Sequence, residues 1–180
     1  MSDKKFYIQK YKRNESGAWE ADGAKKSIED DFGYCRYLSL SGMNARGKQK
    51  NLYTETYAES DSARVWFVDT AAREQPKITL SLAFFGDDPQ LSSDKDETEL
   101  VLAAEDSWNN FYDWIEGGLL EWYDDYRQRK LLVYVQEACT PKSDEIKGMP
   151  YLKCEVSLLN VFGKSFENDS TAIKDYLGIK

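Results

Sequence analysis

Hydrophobic and polar residues alternate along most of this chain, and a period of two is typical of half-buried β-strands. The clearest example is 77–85, where Ile78, Leu80, Leu82 and Phe84 alternate with small or polar residues. Similar alternation predicts further strands at 3–13, 32–41, 51–62, 63–69, 119–123, 130–139 and 151–162. Two polar segments interrupt the pattern, and we predict a loop or short helix at 18–31 and a loop at 140–150.

Two of these strands carry predictions about which side chains point inward. In the first strand the inward side chains are Phe6, Ile8 and Tyr11. In 32–41, strict alternation places Tyr34, Arg36, Leu38 and Leu40 on one face and Cys35, Tyr37 and Ser39 on the other.

One stretch has a helical period instead. Its large apolar residues recur at i, i+3, i+4 and i+7, and they are Trp108, Phe111, Tyr112 and Ile115. Ser107 is a suitable N-cap, and Gly117 with Gly118 favours a stop, which together predict a helix over 107–116. Trp114 lies off the apolar stripe, so we expect it to be exposed to a neighbour.

One helix among seven or eight strands predicts a mainly β (α+β) fold, an antiparallel β-sandwich or barrel with a flanking helix. The segment 42–64 has β character but little bulk on either face, and we interpret it as a long extended loop. The 180 residues suit one domain, with an N-terminal extension at 1–31, a core at 32–166 and a tail at 167–180. A short capped helix is expected at 169–178.

Composition excludes several classes of function. The net charge of −8 argues against nonspecific binding of nucleic acid, and we expect no membrane span and an origin in the cytoplasm. The chain has no histidine, the commonest general base and metal ligand. Cys35, Cys139 and Cys154 are few and widely spaced, so we interpret them as reduced, packed side chains. No catalytic residue, cofactor or metal is predicted.

Three acidic or glycine-rich motifs have a plain structural interpretation. Asp124 and Asp125 are adjacent, and neighbours in a strand point to opposite faces, so a charged turn is favoured over a catalytic pair. The acidic run 94–97 lacks the spacing of a calcium loop. The G-x-x-x-x-G-K sequence at 42–48 is followed by Gln49 where a phosphate-binding loop needs Ser or Thr.

Several runs of this chain resemble tail-region proteins of prophages: K-N-L-Y-T-E-T-Y-A-E-S-D-S-A-R-V-W-F, K-I-T-L-S-L-A-F-F-G, Y-L-K-C-E-V-S-L-L-N-V-F-G-K-S-F, and F-Y-D-W-I-E-G-G followed by W-Y-D-D-Y-R-Q-R-K. The layout of residues 32–166 is similar to that of tail tube subunits of long-tailed bacteriophages and tube proteins of contractile injection systems. Distal tail and tail completion proteins share this layout.

The resemblance implies a virion structural protein, assembled in the bacterial host cytoplasm and located in the tail. Such a subunit forms a ring, commonly hexameric, with other tail proteins around a channel through which DNA passes without specific binding. The expected interface residues are Arg46, Lys48, Lys50, Tyr53, Tyr57 and Trp114. The main alternative is a monomeric β-sandwich that binds a protein or carbohydrate through exposed aromatic side chains. An enzyme using Asp124 or Asp125 is the least favoured reading.

Overall fold

A computed structural model describes residues 5–43, 53–56, 63–66, 75–91, 93–138 and 140–179. Within them the chain forms twelve strands and two helices. The strands are β1 (Phe6–Arg13), β2 (Trp19–Ala21), β3 (Lys26–Ser27), β4 (Tyr34–Ser41), β5 (Tyr53–Thr56), β6 (Ala63–Trp66), β7 (Lys77–Phe85), β8 (Leu119–Asp124), β9 (Arg129–Ala138), β10 (Lys142–Ile146), β11 (Met149–Asn160) and β12 (Phe166–Glu167). The helices are α1 (Glu97–Ile115) and α2 (Ala172–Leu177).

Ten strands form one antiparallel sheet, with the order β2-β1-β8-β9-β11-β7-β4. The short strands β3, β10 and β12 pair with β1, β11 and β9 respectively. The remaining two strands, β5 and β6, pair only with each other, in a separate sheet. The predicted mainly β antiparallel fold with a main helix is therefore confirmed, although there are more strands than the seven or eight predicted.

The main sheet curls so that side chains from distant strands share one core. Phe6 of β1 stacks on Tyr37 of β4 with ring centroids 3.8 Å apart, although β1 and β4 lie far apart in the strand order. The predicted inward residues Ile78, Leu80, Leu82 and Phe84 of β7 all belong to this core, as do Phe6 and Ile8. The prediction for Tyr11 is also confirmed in part, since it is buried but lies in a second, smaller cluster.

Helix α1 packs against β7 and β11, and its start differs from the prediction. The helix begins at Glu97 because Asp96 and Glu99 form a reciprocal capping box: Glu99 N donates to Asp96 Oδ1 at 2.9 Å and Asp96 N donates to Glu99 Oε2 at 3.3 Å. The predicted N-cap, Ser107, is in mid-helix, where its hydroxyl donates to Ala103 O at 2.9 Å.

The predicted end of α1 is correct. Glu116 is the C-cap with extended backbone angles, and Gly117 follows with a φ of 76°, in the left-handed region that glycine adopts without steric cost. The chain then enters β8 at Leu119. The buried stripe of the helix comprises Leu100, Ala104, Trp108, Phe111 and Ile115.

A β-bulge in β4 overturns the strict alternation predicted there. The pairing with β7 shifts register between Tyr37 and Ser39. Cys35 and Leu40 are consequently both buried, although alternation assigns them to opposite faces, and Leu38 is exposed. A bulge adds one residue to one strand only, so the inward and outward positions of β4 change phase at the bulge.

Two segments predicted as loops contain strands. The segment 18–31 contributes β2 and β3, which both pair with β1. The segment 140–150 forms β10 and a tight turn into β11. Lys147 and Gly148 both have positive φ at this turn, 52° and 80°, as a two-residue hairpin with matching twist requires.

The C-terminal segment covers the opposite face of the sheet. Ile173 and Leu177 of α2 pack with Tyr11 and Leu132 in the smaller cluster, so the short helix expected at 169–178 is confirmed. Neither of the described helices is long and apolar enough to cross a membrane.

The position of the cap gives a direct test of where α1 begins. We expect Asp96→Ala to lower the free energy of unfolding by about 1 kcal/mol, because the backbone N–H of Glu99 loses its acceptor. Ser107→Ala is the control, and it should change stability little because Ser107 caps nothing. Urea unfolding followed by circular dichroism measures both, and the reverse order of effects would contradict the observed start.

Candidate functional site

The carboxylate of Asp124 stabilises the turn that follows β8. It is buried, and its Oδ1 accepts from the backbone N–H groups of Tyr126 and Arg127 at 2.9 and 3.0 Å. Its Oδ2 lies 3.1 Å from Arg127 Nη1. Arg129 pairs instead with Glu167, at 3.7 Å. The charged-turn interpretation of this segment is confirmed.

Glu121 and Lys130 form a buried ion pair on the outer face of the sheet, which the sequence analysis did not predict. Glu121 of β8 is fully buried, and its Oε2 accepts from the hydroxyl of Tyr11 at 2.5 Å. Lys130 of β9 is also buried, and its Nζ lies 3.1 Å from Glu121 Oε1. Glu121 Oε1 accepts no aligned hydrogen bond within the described residues, so its interaction with Lys130 Nζ is electrostatic. The only signal in the sequence is a glutamate inside the apolar run L-L-E-W-Y.

Two tyrosines next to this pair, Tyr11 and Tyr123, have raised pKa values. Burial raises the pKa of Tyr11, and the hydrogen bond to Glu121 raises it further. Burial also raises the pKa of Tyr123, which faces the same carboxylate. Both phenols therefore stay protonated at neutral pH, and that of Tyr11 donates to Glu121. Phe166 of β12 pairs with Lys130 along the backbone. This arrangement stabilises one packing of the sheet.

The described cysteines are packed side chains, as predicted. Cys35 and Cys154 are both fully buried and free of disulfide bonds. Burial raises the pKa of the Cys35 thiol, so the thiolate needed for nucleophilic attack is suppressed. Cys139 lies outside the described residues. Across the described part of the chain, no group of three or more acidic, cysteine or histidine side chains is placed to hold a metal ion.

Most of the predicted interface residues lie outside the described part of the chain: Arg46, Lys48, Lys50 and Tyr57. Tyr53 begins β5, for which only the backbone is described. Trp114 is half-buried, with its ring centroid 5.3 Å from that of Phe32 and Lys26 Nζ 4.8 Å above it. Part of its surface faces outward, and a role in meeting a neighbouring subunit stays a prediction for all six residues.

Two surface depressions lie near the ends of the sheet. A pocket of about 380 Å³ is lined by Phe6, Glu29, Tyr37, Asp124, Tyr126 and Arg127, where β1 and β4 meet. Its buried carboxylate is the turn-forming Asp124, already fully paired. A wider groove of about 780 Å³ separates the acidic loop before α1 from the β10–β11 turn. This second feature is polar with two exposed apolar side chains, Leu91 and Ile146. It has the character of a contact surface rather than of an enclosed ligand site.

No family model matches the chain, and no curated protein matches it. Among solved structures, one match is to a chain of the phage p2 baseplate in its activated conformation with Sr, with a TM-score of 0.45 and 12% sequence identity. The match covers 87% of this chain and 44% of that chain, so this protein spans less than half of the neighbour's length. A likeness this distant assigns no role to this chain.

A double-mutant cycle tests the buried pair. We expect Lys130→Met to lower the free energy of unfolding by roughly 3 kcal/mol or more, because Glu121 is left charged and buried without a cation. Adding Glu121→Leu should recover part of that loss, giving a coupling of about 1–3 kcal/mol in guanidinium unfolding.

The exposed pair of Arg129 and Glu167 provides the matched control for this cycle, since it joins the same strand to β12 in water. Arg129→Met should change stability little. Losses at Lys130 and Glu121 that simply add, or that are no larger than the loss at Arg129, would show that the buried charges do not act as a pair.

Proposed function

We propose that this protein is a structural subunit of a phage or prophage tail, which associates with copies of itself into rings around a DNA channel and performs no catalysis. The observation that carries the proposal is the separate β5–β6 hairpin. The strands on either side of it in sequence, β4 and β7, pair directly with each other in the main sheet. The hairpin is therefore an insertion at one end of that strand pair, and the main sheet is continuous without it.

The hairpin has few internal sources of stability. Its pairing extends over four residues in each strand, from Tyr53 opposite Trp66 to Thr56 opposite Ala63. Neither strand pairs with another strand of the described chain. An isolated two-stranded hairpin is marginally stable in water and needs a further strand or a packing surface. A second copy of the chain supplies such a surface, and in that case the hairpin becomes ordered by assembly.

The titratable groups favour a structural rather than a catalytic role. Asp124 and Glu121 are both engaged by neighbouring side chains, and the pKa of the Cys35 thiol is raised by burial. The net charge of −8 suits a channel wall that repels DNA and lets it slide. These features support the same proposal without bearing on the number of subunits in a ring.

Removing the insertion separates assembly from folding. We expect a variant in which residues 44–74 are replaced by a short Gly-Ser linker to remain monomeric while the wild type forms larger species, because β4 and β7 still pair but the hairpin is gone. Size-exclusion chromatography with light scattering measures the mass, and circular dichroism checks the fold. Inserting the same linker at Ser16, in the exposed turn between β1 and β2, is the control and should leave assembly intact.

Three results would count against this account. A wild-type chain that stays monomeric at every concentration would contradict self-assembly and favour a monomeric binding module. An assembling deletion variant would show that the hairpin is not the element that joins subunits. An unfolded deletion variant would contradict the conclusion that the insertion lies outside the core.

A further inference from the structure

The smaller of the two pockets described above lies at the seam where the curled sheet closes between β1 and β4. These strands are not neighbours in the strand order, so side chains rather than backbone hydrogen bonds fill the gap between them. The pocket has a volume of about 380 Å³, within the range of small-molecule sites. We call it the seam pocket, and its lining comprises Phe6, Glu29, Tyr37, Asp124, Tyr126 and Arg127.

Three aromatic rings make up the apolar part of the seam pocket. The rings of Phe6 and Tyr37 are stacked with centroids 3.8 Å apart, and the Tyr126 ring lies 5.5 Å from that of Phe6. Phe6 is buried, whereas Tyr126 is 60% exposed. Aromatic rings that are partly open to solvent at a pocket offer a surface on which a flat apolar face of a ligand can pack.

A buried carboxylate holds two residues of the seam pocket in place. Asp124 is 1% exposed, and its Oδ1 accepts from the backbone N–H groups of Tyr126 and Arg127. Its Oδ2 accepts from Arg127 Nη1 at 3.1 Å, which orients the guanidinium as well. Across the seam, the backbone N–H of Tyr37 donates to Glu29 Oε1 at 3.4 Å. Groups positioned before a ligand arrives lose little conformational entropy when it binds.

The charged groups of the seam pocket favour a neutral ligand. Arg127 neutralises Asp124, and Glu29 adds a second carboxylate. An anion would therefore meet two carboxylates, and a cation would meet the guanidinium. A guanidinium has more N–H donors, and a carboxylate more acceptor sites, than the contacts above use. The pocket thus combines an aromatic surface with hydrogen-bond donors and acceptors and disfavours a net charge of either sign.

We propose that the seam pocket binds a neutral sugar residue. The C–H groups on one face of the sugar ring pack against the rings of Phe6, Tyr37 and Tyr126, and its hydroxyl groups donate to Glu29 and accept from Arg127. A nucleotide also has a flat ring, but the net charge of −8 on this chain repels its phosphate. This binding activity is separate from the proposed self-assembly and does not depend on it.

A titration of the full-length chain with neutral sugars tests the site. The probes are the methyl glycosides of glucose, galactose, mannose and N-acetylglucosamine, followed by the backbone amide signals in nuclear magnetic resonance. We expect at least one probe to bind with a Kd of roughly 1–10 mM and to shift the amides of Tyr37, Tyr126 and Arg127. Glucuronate and glucosamine, which carry a negative and a positive charge, should bind more weakly than the best neutral probe.

Substitutions at the exposed ring separate stacking from general surface effects. Tyr126→Ala should weaken binding of the best probe by about tenfold, because the sugar loses an apolar surface. Tyr126→Phe keeps the ring and should bind within about twofold of the wild type. Tyr176→Ala is the matched control, since Tyr176 is 56% exposed but belongs to α2, and it should leave binding unchanged.

The possible results decide the proposal directly. No amide shift with any of the four glycosides would overturn it. Shifts confined to other residues, or binding that Tyr126→Ala leaves intact, would show that the seam pocket is not the site. Tighter binding of glucuronate or glucosamine than of every neutral probe would contradict the neutral ligand. Light scattering follows self-assembly separately, and none of these results changes that proposal.

Discussion

The contact between the aromatic face of α1 and the inner face of β7 is the interaction on which the rest of the fold depends. Phe84 lies with its ring centroid 5.6 Å from those of both Trp108 and Phe111. Phe32, just before β4, completes the cluster with an edge-on contact to Phe111 at 5.0 Å. A curled antiparallel sheet has a wide interior, and these rings fill the part that side chains of the strands alone would leave open. The curl in turn brings Phe6 and Tyr37 together where no backbone hydrogen bonds join β1 and β4.

Local patterns in the sequence predicted the features that depend on one segment at a time. The alternation of 77–85 gave β7 and its inward residues, and the glycines after Glu116 gave the end of α1. The start of α1 was also encoded locally, by Asp96 and Glu99, but those residues resemble a solvated acidic loop until their reciprocal hydrogen bonds are seen. Leu100 and Ala104 lie on the same face as Trp108, but they are smaller than the aromatic residues and precede them, so the aromatic spacing alone predicts a shorter helix.

Features that depend on the pairing of two segments cannot be predicted from the hydrophobic pattern of either segment alone. The bulge in β4 exists only relative to β7, and it decides that Leu40 is buried and Leu38 is not. The ion pair between Glu121 and Lys130 depends on the antiparallel register of β8 and β9. The wider groove likewise depends on the β10–β11 turn lying opposite the loop before α1.

The chain thus divides into a main sheet with its own core and a two-stranded insertion without a partner strand in the described chain. The most direct measurement of this division is amide hydrogen exchange over a range of protein concentrations. The account predicts that the amides of Tyr53–Thr56 and Ala63–Trp66 exchange rapidly in dilute solution and become protected as subunits assemble, while those of Lys77–Phe85 are protected throughout. Protection of the hairpin that is already complete in the dilute monomer would contradict it.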